Sequence, residues 1–228
     1  MIRKLLALLL SVALGVAAGA FANAQASRSA YADAPAVYDA QEIYARSQAA
    51  VFYVRSLGAG GALKDTGTGV VLSADGLAAT AYHVIAGADR IEAVLSDGRT
   101  LAGIKVLASD EGSDAAILQL PKPRTGTAYA AIELRAEPAD HGEVAFAIGY
   151  PLKATPIITE GIVNSPAALV NGRTVVLASA QVVSGMSGGP LLDEGGRMIG
   201  VLSGSLRTME GIHLAVEAAD IRKLLPKA

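Results

Sequence analysis

The residues of this chain whose types could do chemistry together are a histidine, an aspartate and a serine, met in that order. There are three histidines, His83, His141 and His213. Asp114 comes directly before the apolar run Ala115-Ala116-Ile117-Leu118, and Ser187 lies inside Gly185-Met186-Ser187-Gly188-Gly189-Pro190. Taken singly, each has an ordinary structural reading: a packed imidazole, a turn aspartate, a glycine-rich loop. Taken together they suit nucleophilic attack on an acyl carbon. A serine hydroxyl is a poor nucleophile at neutral pH until a neighbouring base takes its proton. An imidazole titrates in the right range to do so. A buried carboxylate holds the imidazole tautomer and stabilises the imidazolium that forms. The attacked carbonyl becomes an oxyanion, which needs backbone N–H donors at close range. Glycines beside the serine allow the chain to turn its amides toward one point. His141 follows Pro138-Ala139-Asp140 and reads as a surface turn residue. The histidines are far apart in sequence and no HExxH or acidic loop pattern occurs, so no metal or other cofactor is expected.

Short strands must position these residues. Asp39 followed by Glu42 is a helix-start signal, and the spacing predicts a helix from Asp39 to about Gln48. After it the period becomes strand-like. Candidate strands are Ala50–Val54, Gly67–Leu72, Leu77–Thr80, Ile91–Leu95, Leu101–Leu107 and Ala115–Leu120. Val144–Ile148, Ile157–Val163, Val175–Ala178, Met198–Leu202 and Ile212–Val216 follow. Turn signals separate them: Ala74-Asp75-Gly76, Ser96-Asp97-Gly98, Asn171-Gly172 and Gly195-Gly196. Many short strands with turns about every ten residues predict an all-β fold, a barrel or a sandwich. Ala218–Leu225 reads as a terminal helix whose apolar face packs on the second half. The stretch from about 123 to 138, with Pro123, Gly126 and Pro138, is the expected linker between two β-lobes.

Composition narrows the rest. The chain has 228 residues, 52% of them hydrophobic and 18% charged, with no cysteine and a net charge of −2. That excludes a disordered chain, a disulfide scaffold and a cysteine metal site. No Lys/Arg run of the kind that tracks phosphates occurs, so nucleic acid is not an expected partner. Arg3 and Lys4, the apolar run Leu5–Phe21 and Ala22-Asn23-Ala24 have the order of a secretory signal peptide over residues 1–24. Membrane attachment is expected only if this segment stays uncleaved. Residues 25–38 are read as a flexible lead-in.

Four segments carry a family resemblance: Gly67-Thr68-Gly69-Val70-Val71, Thr80-Ala81-Tyr82-His83-Val84, Ser113-Asp114-Ala115-Ala116-Ile117-Leu118, and Gly185–Leu191. With them go Glu42–Arg55, Gly149-Tyr150-Pro151 and Glu160-Gly161-Ile162-Val163. On these the chain from about residue 39 resembles the trypsin-like serine endopeptidases of the chymotrypsin fold, most closely the HtrA/DegP group. The resemblance implies two antiparallel six-stranded β-barrels, about 39–122 and 139–228, with a short N-terminal and a C-terminal helix and a cleft between the barrels. It implies His83 as general base, Asp114 as its orienter and Ser187 as nucleophile. The amides of Gly185 and Ser187 would form the oxyanion hole. Ser203 would lie on the strand that pairs with substrate and would also bond the catalytic Asp. Gln181, Val182, Val183, Ser203, Gly204, Ser205 and His213 would line the substrate site. No carboxylate sits at the pocket base, so cleavage after small or medium apolar residues is expected rather than after Lys or Arg.

Some features depart from the group. Met186 precedes the nucleophile where digestive relatives carry Asp and the HtrA group usually carries Asn. It cannot pair with a freed N-terminus, and it bears on the loop presenting the Gly185 amide. Tyr82 stands before the histidine where a smaller residue is common. The resemblance stops at the terminal helix, so no PDZ domain is expected in this polypeptide. The reading is therefore an exported serine endopeptidase, periplasmic or secreted, acting on protein or peptide substrates. A catalytically silent binding module of the same fold is the alternative, with Met186 in its favour; an esterase is a further one. Relatives often form trimers through aromatic residues near the mature N-terminus. Tyr31, Tyr38 and Tyr44 could serve a homotrimer here.

Overall fold

Two runs of antiparallel strands account for most of the chain between Val51 and Glu217. The computed structural model describes residues 36–227 apart from 124, 154 and 207. The expected signal peptide, Tyr31 and most of the lead-in lie outside the described residues.

Helix α1 (Ala40–Ser47) starts where the Asp39/Glu42 pair predicts. The Glu42 N–H donates to Asp39 Oδ1 at 2.9 Å, and the Asp39 N–H donates to Glu42 Oε2 at 3.3 Å. This reciprocal capping box satisfies amides that the first helical turn leaves free. A single 3-10 turn leads from α1 into the first sheet.

That sheet contains β1 (Val51–Leu57), β2 (Leu63–Val71), β3 (Leu77–Ala81), β4 (Arg90–Val94), β5 (Thr100–Leu101), β6 (Lys105–Asp110) and β7 (Ala115–Gln119), in the order β5-β4-β1-β2-β3-β7-β6. A single strand over Leu101–Leu107 was the expectation. The chain instead breaks between β5 and β6, where Gly103 takes a φ of 75°. Seven strands result in place of six, with β5 and β6 at the two ends of the sheet. The second half contains β8 (Val144–Leu152), β9 (Thr155–Val170), β10 (Arg173–Ala178), β11 (Pro190–Leu192), β12 (Met198–Ser205) and β13 (His213–Glu217), and it closes as a six-stranded barrel. Strand β11 has three residues inside the glycine-rich stretch, too few for a visible period.

One apolar cluster joins the two halves. It runs from Phe52, Ile117 and Leu118 of the first sheet to Ile148, Leu192 and Val201 of the barrel. A second cluster, with Met186, Leu191 and Leu202, fills the barrel itself. Between β7 and β8 the Ile132 N–H donates to the Val71 carbonyl at 2.9 Å, and Leu134 bridges Met198. Helix α3 (Ala218–Leu224) packs on β12 and β13 as expected, and it also reaches β6 and β7 of the first sheet. Ile221 is fully buried in the shared cluster. Burying one such side chain contributes about 1.5–3 kcal/mol, so the two halves are held in fixed register by apolar packing.

Candidate active site

Strand pairing sets the first two residues side by side. Ala81 at the end of β3 pairs with Ala115 at the start of β7. The chain turns at once into the one-turn helix α2 (Tyr82–Ile85), which carries His83. Asp114 precedes β7 with a φ of 63°. That left-handed conformation is uncommon outside glycine, is tolerated best by short polar residues such as Asp, and clusters at functional sites. Its carbonyl accepts from the Tyr82 N–H at 3.2 Å.

The carboxylate is buried and bonded on several sides. His83 Nδ1 lies 3.0 Å from Asp114 Oδ1 and 2.9 Å from Oδ2. The His83 N–H donates to Oδ1 at 2.9 Å, and the Ser203 hydroxyl donates to Oδ2 at 2.5 Å. Burial disfavours the charged carboxylate, but the bonds from His83 and Ser203 outweigh it and hold Asp114 below the usual carboxylate range. The hydrogen bond to Asp114 raises the His83 imidazole above its ordinary value, against the opposing effect of burial. The ring remains partly exposed, at 44% of its side-chain surface. With Nδ1 engaged, such a ring presents Nε2 for proton transfer.

Ser187 reaches the same place from the barrel. Its carbonyl accepts from the Thr68 N–H of β2 at 2.8 Å. A Cβ at Gly67 would lie 2.6 Å from a Val84 methyl and 2.9 Å from the Ser187 carbonyl oxygen. Gly67 thus lets the His83 turn and the serine loop close on one point. The loop itself needs glycine at 188: φ is 89°, and a Cβ would stand 2.1 Å from the Thr68 carbonyl oxygen. The Gly188 N–H donates to the Leu202 carbonyl, the Gly189 N–H to Met186 and the Met186 N–H to Val183. Among the described residues the amides of Gly185 and Ser187 have no such partner. They are free to donate to a bound oxyanion. Among the described residues the hydrogen bonds of the His83 ring are those to Asp114, and the Ser187 hydroxyl is not bonded to it.

Met186 does not enter this site. Its side chain is fully buried in the barrel core, against Gly149. Its thioether chain fits these apolar surroundings, where a buried Asp or Asn would need polar partners.

The remaining expected residues divide. Ser203 is brought to Asp114. Two residues further along β12, the Ser205 hydroxyl lies 2.8 Å from His213 Nδ1. His213 is buried, and burial pushes its imidazole below the ordinary value. It shares a narrow apolar void with Ala180, Val182 and Leu202. Gly204 lies between the two serines at a β12 irregularity. Gln181 and Val183 face solvent, the former with its carbonyl bonded to the Thr159 hydroxyl. His141 is exposed on the turn before β8.

Thr68 is the residue that sequence reasoning passed over. Its hydroxyl donates to the Gly185 carbonyl at 2.8 Å and accepts from the Tyr150 N–H at 2.9 Å, while its carbonyl accepts from the Thr80 hydroxyl at 2.7 Å. The motif Gly67-Thr68-Gly69 was visible, but nothing local in it marks a contact more than a hundred residues away.

Comparison with known proteins shows the family and the fold. The Synechocystis protein described as a putative serine protease HhoB is 32% identical over 158 residues, which cover 66% of this chain and 37% of that one. The probable periplasmic serine endoprotease DegP-like of Hahella chejuensis is 35% identical over 164 residues, covering 68% and 33%. The chain therefore spans roughly a third of the length of these relatives. Among solved structures, the serine endoprotease from Yersinia pestis superimposes with a TM-score of 0.70 at 26% identity, over 80% of this chain and 64% of that one. The model of the trypsin-like peptidase domain matches residues 67–201, more than half of the sequence and all three of His83, Asp114 and Ser187. On this match, and on the fold that bears it, the chain belongs to the trypsin-like peptidase family.

Proposed function

We propose that this protein is a serine endopeptidase that cleaves proteins outside the cytoplasm through an acyl-enzyme. The observation that carries this reading is the convergence at one seam of the bonded His83–Asp114–Ser203 group and the Ser187 loop with its free amides. The His83 Nε2 takes the proton of Ser187 Oγ as the oxygen attacks the peptide carbonyl carbon. Negative charge moves to the carbonyl oxygen, which receives hydrogen bonds from the Gly185 and Ser187 amides. The carbon–nitrogen bond then breaks, and His83 gives its proton to the leaving amine. Water, deprotonated by the same imidazole, attacks the ester, and Ser187 leaves with the proton returned. Throughout, Asp114 keeps the Nδ1–H tautomer in place.

No carboxylate lies among the described residues around Val182 and His213, which supports apolar rather than Lys or Arg side chains on the acyl side of the cleaved bond. The signal-like segment 1–24 and the periplasmic naming of the Hahella relative support export. Tyr38 lies beneath the Arg46 guanidinium, 3.8 Å from it, and Tyr44 is half-buried against the core. A trimer using them would add contacts to rings already held, and sedimentation at micromolar concentration tests it.

The direct test of activity is hydrolysis of an unfolded protein by the mature chain. Fragments should form, and Ser187→Ala should abolish them. The absence of a Ser187–His83 hydrogen bond favours the second reading, a silent binding module of the same fold. That reading predicts peptide binding without fragments. Apo serine and histidine groups often meet fully only in the substrate complex, so catalysis remains the conclusion.

A further inference from the structure

Thr68 is fully buried where β2 meets the serine loop. Its polar groups are all engaged there. The N–H holds the Ser187 carbonyl, the hydroxyl holds the Gly185 carbonyl and accepts the Tyr150 N–H, and the carbonyl holds the Thr80 hydroxyl. A valine would fill the same space without making either hydroxyl bond. The loop it grips has reason to need a grip. Gly185 has a φ of 93° and Gly188 of 89°, and glycine populates either hand with similar ease. A carbonyl fixed in direction fixes the plane of its peptide. Thr68 fixes the planes on both sides of the Met186–Ser187 peptide, whose N–H is free. The other free N–H belongs to Gly185 itself.

We propose that Thr68 is the positioning residue of the oxyanion-binding loop, holding the Gly185 and Ser187 amides on one point through the carbonyls of those same two residues. The proposal rests on the endopeptidase reading. It makes the first sheet a supplier of more than the base and its carboxylate: that sheet also sets the geometry of the barrel's loop. Tyr150 is tied into the same hydroxyl and connects the end of β8 to the loop. The Tyr150 carbonyl would lie 2.8 Å from a Cβ on Gly185, so the two segments are closely packed.

The experiment compares Thr68→Ser, Thr68→Val and Thr68→Cys by kcat/KM and by the affinity of a peptide aldehyde. The aldehyde adds Ser187 Oγ to its carbonyl carbon, and the new tetrahedral oxygen sits where the oxyanion would. Thr68→Ser keeps the hydroxyl and should behave as wild type in both. Thr68→Val should lose about a hundredfold in kcat/KM, the scale of a misplaced catalytic group, and aldehyde affinity should fall by the same factor. The affinity of the amine-side product peptide, which places no oxygen at the oxyanion position, and the pH inflection of His83 should stay unchanged. If Thr68→Val does not fold, Thr68→Cys decides, because a thiol fills the space as a weak donor; its loss should lie between the other two. Folded Val or Cys variants with wild-type aldehyde affinity would overturn the proposal. So would a loss shared equally by the product peptide. A wild-type protein whose Ser187 does not react with a fluorophosphonate would overturn the reading beneath it.

Discussion

His83 and Asp114 are held through their own side chains, whereas the Gly185–Gly189 loop is held through its own backbone. In the first region a carboxylate gathers a ring nitrogen, a backbone N–H and a hydroxyl, and both titrating groups shift in consequence. In the second no side chain of the loop makes a hydrogen bond among the described residues; its carbonyls and amides are placed by Thr68, Leu202 and turns of its own. On the proposed function, the first region acts through protonation states and the second through peptide orientation. Damage to the one should therefore move a pH profile, and damage to the other should leave the profile in place and lower the rate across it.

Asp114→Asn should have the largest effect, roughly a 10⁴-fold loss of turnover, the scale seen when a triad carboxylate is lost. The sign of the pH effect follows from the geometry. Because the bond to Asp114 raises His83, wild-type activity should rise with pH through an inflection above the ordinary histidine value of 6.5. Removing the carboxylate should bring that inflection down, which a pH series of kcat/KM would reveal.

Gly188→Ala comes next. Its Cβ would sit 2.1 Å from the Thr68 carbonyl at a φ of 89°, so the loop must shift. A loss of about a hundredfold is expected, at an unchanged inflection pH. A shifted inflection in this variant would remove the distinction between the two regions. Ser203→Ala should be the mildest, roughly tenfold, as one hydrogen bond to a charged group is worth about 1.5–3 kcal/mol and the remaining donors compensate in part. Asp114 should then titrate at higher pH, since a donor that lowers it is gone.

The sequence exposes the first region better than the second. Asp114 is legible because it abuts an apolar strand, and Ser187 because glycine surrounds it. The Asp39 cap likewise announces α1 at its true start. What fails to show is long-range. Strand β9 runs for 16 residues, well past the expected Ile157–Val163, because pairing with β10 carries it through Asn164, Ser165 and Pro166. The proline falls at a register irregularity, where a missing N–H is tolerated. Thr68 looks like any strand threonine until the loop from the other half arrives. Met186 reads as a departure beside Ser187, whereas burial in the barrel suits an apolar side chain.

The most direct measurement is fluorophosphonate labelling of the mature protein, read by peptide mass spectrometry, with Ser187→Ala and His83→Ala alongside. One adduct is expected, on Ser187, absent from the first variant and nearly absent from the second. An unlabelled Ser187 in the wild type, or labelling that persists without His83, would contradict the proposed mechanism.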